Sequence, residues 1–117
     1  MIEKDLKKEK LLMKNNILQF SHKVINDILE YKETAFNKTN NGISFRIFIE
    51  IEIEFRLGNN NLIMEVYHCV ITRKKILFCI IDNEELFNSI EYIYENYDDI
   101  KELGRLKKLN KMLTFTE

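Results

Sequence analysis

"FRIFIEIEIEFRL", residues 45–57, alternates apolar and polar side chains almost without a break. Phe45, Ile47, Ile49, Ile51, Ile53, Phe55 and Leu57 take the odd positions. Arg46, Phe48, Glu50, Glu52, Glu54 and Arg56 take the even ones. A period of two is the signature of a strand with one buried face. The pattern predicts a strand over 43–57 whose odd residues face a core and whose even residues carry a row of three carboxylates. Same-face neighbours lie about 7 Å apart. Two unit charges at that distance repel by roughly 0.6 kcal/mol in water and about 2.4 kcal/mol at an effective dielectric of 20. Such a row is cheap when solvated and costly when covered without cations.

The register follows from the turns on either side. "GNNN", residues 58–61, reads as a turn in which Asn59 and Asn60 tolerate positive φ. A second strand over 62–72 then sets Leu57 against Leu62, Ile53 against Val66, Glu54 against Glu65, Glu52 against Tyr67 and Glu50 against Cys69. A two-residue turn at Arg73–Lys74 leads to a third strand over 75–81, with Val70 opposite Leu77 and His68 opposite Cys79. On this register Leu62, Met64, Val66, His68, Val70, Leu77, Cys79 and Ile81 join the core face. Phe48, Tyr67, Cys69, Ile71, Ile76, Phe78 and Ile80 form an apolar middle on the outer face, between Arg46 and Arg73 at one end and Glu50, Glu52, Glu54 and Glu65 at the side.

Helical periodicity flanks the strands. Residues 2–33 place Leu6, Met13, Ile17, Phe20, Val24, Ile28 and Tyr31 on one stripe, widened by Leu11, Leu18, Ile25 and Leu29. The loop "NKTNNG", residues 37–42, ends that element. Asp82 with Glu85 fits a capping box for a helix whose stripe is Leu86, Ile90, Ile93, Tyr97 and Ile100, broken near Gly104 into a last helical piece. The expected fold is α+β: one two-layer domain over 1–117, a three-stranded antiparallel meander with a long N-terminal and a C-terminal helix, in the order α-β-β-β-α(-α). Both helices are expected on the odd face.

Composition narrows the function. The chain has 117 residues, 45% hydrophobic and 32% charged, which describes a globular chain rather than a disordered one. A net charge of −1 argues against a generally basic nucleic-acid binder. No apolar run approaches the ~20 residues of a membrane helix, and the charged start "MIEKDLKKEKLLMKNN" lacks a signal-peptide core, so a cytoplasmic protein without membrane association is expected. His68 and Cys79, as cross-strand neighbours, raise a nucleophile pair. Their setting among aliphatics favours a buried thiol beside a core histidine. No C-x-x-C or H-x-x-x-H spacing occurs, and carboxylates two apart on a strand diverge rather than converge on one ion. The expectation is therefore no enzyme activity, no metal and no cofactor.

An interaction module remains. The outer face, Glu50, Glu52, Glu54, Glu65, Phe48, Tyr67, Ile71 and Phe78, reads as a protein-binding surface for a target with a basic surface, or as a homodimer interface. Residues 82–99 hold seven acidic and no basic residues, so Tyr92 and Tyr94 join it as an acidic aromatic epitope. The profile is shared by phage and plasmid inhibitors of the anti-CRISPR type and by toxin-immunity proteins, which occlude a target such as a nuclease. The alternative is a regulatory nucleic-acid binder using Lys7, Lys8, Lys10 and Lys14 with Arg105, Lys107, Lys108 and Lys111. The element order is similar to that of double-stranded-RNA-binding domains. However, the second helix opens "DNEEL", where that family carries lysines.

Overall fold

The computed structural model describes the backbone of residues 2–115 and the side chains of residues 7–113. Elements run α1 (Ile2–Leu29), β1 (Phe36–Lys38), β2 (Gly42–Ile47), β3 (Ile51–Leu57), β4 (Leu62–His68), β5 (Lys74–Ile81), α2 (Glu84–Glu95) and α3 (Tyr97–Phe115). The α+β class and the antiparallel sheet are as expected, but the sheet has five strands in the order β1-β2-β3-β4-β5, not three.

The extra strands come from two turns. The continuous strand expected over 43–57 folds back on itself at Phe48–Ile49–Glu50, so that Ile47 pairs Ile51, Phe45 pairs Ile53 and Ile43 pairs Phe55. A three-residue turn joins odd to odd, so every odd residue flanking it keeps its face. The alternation is the same for one long strand and for this hairpin. The other strand hides in the expected loop. Asn37 and Lys38 pair Ser44 and Ile43 as part of β1, and the Thr39 N–H donates to the Gly42 carbonyl at 2.9 Å to close the turn.

Between β3 and β4 the expected register holds residue by residue, from Leu57–Leu62 to Glu52–Tyr67. Of the two turn asparagines only Asn60 takes positive φ. Between β4 and β5 it does not hold. A five-residue loop, Cys69–Arg73, replaces the two-residue turn; His68 pairs Lys74, Val66 pairs Leu77 and Cys79 pairs Met64. The pairing shift is four residues, an even number, so Leu77, Cys79 and Ile81 still face inward while their partners change. His68, still opposite Ile51 at the end of the sheet, and Val70, in the loop, are exposed rather than buried in the core. A β-bulge at Lys75–Ile76 opposite Tyr67 absorbs the irregularity.

The helices cover the odd face. Ile25 and Ile28 of α1, Leu86, Ile90 and Ile93 of α2 and Ile100 of α3 pack in one cluster with Ile43, Phe45, Ile53, Phe55, Leu62, Met64, Val66 and Ile81. Ile17, Leu18, Val24 and Leu29 extend it, whereas Leu11 and Phe20 of the expected stripe are exposed. The side chain of Leu6 lies outside the described residues. Helix α1 stops at Leu29 rather than near residue 33. The Lys32 N–H returns to the Asp27 carbonyl at 2.8 Å and the Tyr31 N–H to Ile28 at 3.1 Å, with Tyr31 at φ 60. That is a Schellman ending with tyrosine where glycine is usual.

Helix α2 is capped by Asn83, not Asp82; the Asn83 Oδ1 accepts from the Leu86 N–H at 2.9 Å. The break falls at Asn96 rather than Gly104. It lets Tyr97 swing edge-on to Phe36, with ring centroids 5.3 Å apart at 87°. Gly104 is instead a close-approach position: a Cβ there would sit 2.8 Å from Thr34 Cγ2.

The radius of gyration is 16.1 Å and the extents are 61 × 32 × 24 Å, against about 13 Å for a compact chain of 100 residues. Among the described residues no helix is long and apolar enough to cross a membrane. Gly42 is where the first hairpin depends on a missing side chain, because a Cβ there would run into the Phe55 carbonyl on β3. A backbone atom cannot yield as a side chain does. Gly42→Ala should therefore lower stability by about 1–3 kcal/mol, read as a shift of the urea midpoint at unchanged slope.

Candidate functional site

The glutamate row divides in three. Glu50 lies in the β2–β3 turn, exposed, outside the row. Glu52 and Glu54 stand on β3, and Glu65 beside Glu54 on β4. Glu65 is 2% exposed, an unusual place for a carboxylate unless it is paired. Lys75 forms an ion pair with Glu65 Oε2, the Tyr67 hydroxyl donates to the same oxygen at 2.9 Å, and Arg56 Nε lies 2.6 Å from Oε1. Burial alone would raise the Glu65 carboxyl. The hydrogen bonds from Lys75 and Tyr67, with the charges of Arg56 and Lys75, outweigh it and hold Glu65 below the usual carboxylate range.

Arg73 does the same for the other two acids. It folds back from the β4–β5 loop with its guanidinium carbon 3.5 Å from the Tyr67 ring centroid, and its Nη2 donates to Glu52 Oε1 at 3.0 Å and Glu54 Oε2 at 3.1 Å. Arg46 Nη2 stands 3.8 Å from Glu52 Oε2. Three carboxylates thus meet four cations of the same chain, Arg46, Arg56, Arg73 and Lys75. Tyr67 lies among them, its hydroxyl pushed up by burial first and by its hydrogen bond to Glu65 second. This layer covers the outer face of β3 and β4. Of the carboxylates that the sequence offers to a basic partner, Glu52, Glu54 and Glu65 are already engaged.

The apolar members scatter. Phe78 is on β5, half-exposed, and Tyr92 and Tyr94 are on α2 in the other layer. Tyr94 is held from within: its hydroxyl donates to the Asn40 carbonyl at 2.9 Å and Lys38 Nζ lies 4.6 Å from its ring centroid. Tyr92 stays half-exposed among Glu91, Glu95 and Asp98, none of which has an ion-pair partner among the described residues. Phe48 and Ile71 lie on neighbouring turns with Ile49 and Val70, which the sequence places on the core face and which are instead exposed because they fall in the turns. The pairing of Ile51 with His68, and the Cys69 N–H to Glu50 carbonyl bond at 2.7 Å, place the β2–β3 turn beside the β4–β5 loop at one end of the sheet. Phe48 is 83% exposed, Ile49 84%, Val70 55% and Ile71 93%. Arg46 braces the turn through an Nη1 hydrogen bond to the Ile49 carbonyl at 3.0 Å. Phe48 takes φ 57, a region that costs a Cβ-bearing residue roughly 1–2 kcal/mol. Phe48 was the single apolar residue on the even side of the opening stretch, and that departure was the available signal.

The remaining candidates do not converge. His68 pairs Lys74 and Cys79 pairs Met64, so they are not cross-strand neighbours. Burial pushes the Cys79 thiol up, against the nearby charge of Lys14. Among the described residues no group of three or more His, Cys, Asp or Glu is placed to hold a metal ion. Lys107 donates to the Glu30 carbonyl at 2.9 Å, at the C-terminal end of α1. Lys14 stands about 24 Å back along that helix at 1.5 Å per residue, and Lys7, Lys8 and Lys10 stand farther still. The early lysines and the late group of Arg105, Lys107, Lys108 and Lys111 therefore do not form one patch. Comparison with protein-family models, curated proteins and solved structures finds no match.

The buried acid and the turn acid should behave differently. Glu65→Ala should cost about 1–3 kcal/mol, because it leaves Tyr67, Arg56 and Lys75 without their acceptor, while Glu50→Ala should stay within about 0.5 kcal/mol. The Glu65 pKa is lowered in the folded state, so its stabilisation is present above the unfolded value of about 4.3 and is lost as pH falls through the folded value. Urea titrations below pH 4.3 should show stability falling with acid, and Glu65→Gln should flatten that fall.

Proposed function

We propose that this chain is a non-enzymatic protein-interaction module that acts by occupying a surface of its target, as inhibitors and immunity proteins do. The observation that carries the reading is the cluster at the paired hairpin tips. Phe48, Ile49, Val70 and Ile71 are large, apolar and mostly in water, on adjacent turns. Four such groups together differ from the single exposed hydrophobics that any monomer carries. Phe48 accepts a disfavoured backbone conformation without burying its ring in this chain, and strain of that kind is characteristic of sites where binding recovers the cost.

The expectation of a basic target now rests on α2 rather than on the sheet. The acids of the outer face are neutralised internally. Glu84, Glu85, Glu91 and Glu95, with Tyr92, line an exposed helix face that has no ion-pair partner among the described residues. That face suits steering toward a basic surface, while the apolar tips suit the affinity itself. Against an enzyme stand the separation of His68 from Cys79 and the solvent exposure of His68.

Phe48→Gly separates binding from stability. Relieving the left-handed phenylalanine should leave stability unchanged or raise it by about 1 kcal/mol, while target capture is lost. Quantitative mass spectrometry of proteins retained by the parent, by Phe48→Gly, by Ile71→Asp and by Glu52→Gln provides the check. A target bound by the parent and by Glu52→Gln, and lost with both tip variants, is the expected result. A target that the tip variants retain would refute the reading.

A further inference from the structure

The two edges of the sheet are treated differently. β1 is three residues long, and its Phe36 carbonyl is capped from within by Lys101 Nζ at 2.7 Å and the Tyr97 hydroxyl at 3.3 Å, with Lys101 also donating to the preceding Thr34 carbonyl at 2.7 Å. Short length and lysine protection are the usual ways of blunting an edge. β5 has neither. It runs eight residues, Lys74–Ile81, with no glycine, proline or charge from Ile76 to Ile81. Among the described residues no backbone hydrogen bond beyond the β4 ladder reaches it. Its outward side chains, Phe78 at 52% and Ile80 at 57% exposed, are apolar. A long apolar edge of this kind is a template for another strand.

We propose that the chain forms a symmetric homodimer in which β5 pairs antiparallel with β5 of a second copy, centred on Cys79. Residues opposed across an antiparallel ladder project to the same face, so a two-fold axis normal to the sheet must set one residue against itself. The bulge at Lys75–Ile76 confines the regular part of the strand to residues 77–81, whose centre is 79. That register opposes Leu77 to Ile81, Phe78 to Ile80 and Cys79 to its counterpart, apolar against apolar at every pair. The ends of the strand are complementary in charge. Lys74 opens it and Asp82 and Glu84 follow it, all three exposed and without an ion-pair partner among the described residues. Antiparallel pairing brings each copy's lysine toward the other copy's acids, twice. A second copy therefore satisfies the backbone, the apolar row and the charges together. This surface is separate from the hairpin tips, so the dimer neither requires nor blocks the proposed target contact.

Light scattering and sedimentation of the full chain at micromolar concentration should give twice the chain mass. The doubly substituted Phe78→Lys, Ile80→Lys chain should give half that mass with an unchanged circular dichroism spectrum, both residues being on the outer face. A second measurement does not depend on those substitutions. Opposed residues lie about 4.5–5.5 Å apart, Cα to Cα, within the 4.4–6.8 Å that a disulfide spans. Mild oxidation with diamide should link two copies through Cys79, in the parent and in Cys69→Ser but not in Cys79→Ser. A monomeric parent, a dimer that survives the lysine substitutions, or a cross-link that needs Cys69 would each overturn the proposal.

Discussion

A carboxylate buried on an interior strand of the sheet is the constraint around which the outer layer is organised. Glu65 takes hydrogen bonds from Tyr67 and Lys75 and the nearby charge of Arg56, from three strands. An ionised acid cannot be buried at acceptable cost without such partners, because desolvation of a charge outweighs most single contacts. Once Glu65 is fixed, its neighbours are fixed too. The Tyr67 ring that donates to it becomes the platform for Arg73, which gathers Glu52 and Glu54. Like charges that would repel along β3 are thereby each given a cation from the chain.

This changes what the glutamate row means. Read as a solvated face, it invites a basic partner. Read as one half of an internal network, it is a layer that covers the sheet face opposite the one on which the described helices pack. The cations come from β2, β3, the β4–β5 loop and the start of β5, so the layer ties the strands together side chain to side chain. Pairs that are half in solvent contribute little singly; the buried member gives the network its weight. What the layer leaves uncovered lies at its margins, in the exposed turns at one end and the open edge at one side.

Much of the fold was legible. The alternation in 45–57, the stripes of α1 and α2 and the Asn59–Asn60 turn specified the inward face of the core strand residues from Ile43 to Val66, and the β3–β4 register in full. The hairpin at Phe48–Ile49–Glu50 was not legible from alternation, because an odd-numbered turn conserves parity and these three residues include no Gly, Pro, Asn or Asp. Only length argued against a single strand, since strands rarely exceed ten residues. β1 was too short to show a period. The four-residue error between β4 and β5 left the faces intact while separating His68 from Cys79. The site was less legible than the fold. Its acids and aromatics were visible as residue types, but whether a glutamate meets solvent or an arginine from a distant loop depends on how Arg73 folds back, which no local pattern encodes.

The central claim, that the outer-face acids are engaged inside the chain, is tested most directly by a double-mutant cycle on stability. Glu65→Gln, Lys75→Met and the combined variant should be compared by urea unfolding at neutral pH. Coupling of about 0.5–3 kcal/mol, as contacting residues show, is the predicted result. Effects that add within about 0.3 kcal/mol would mean that the two residues act independently, and would contradict an outer layer built on a paired, buried carboxylate.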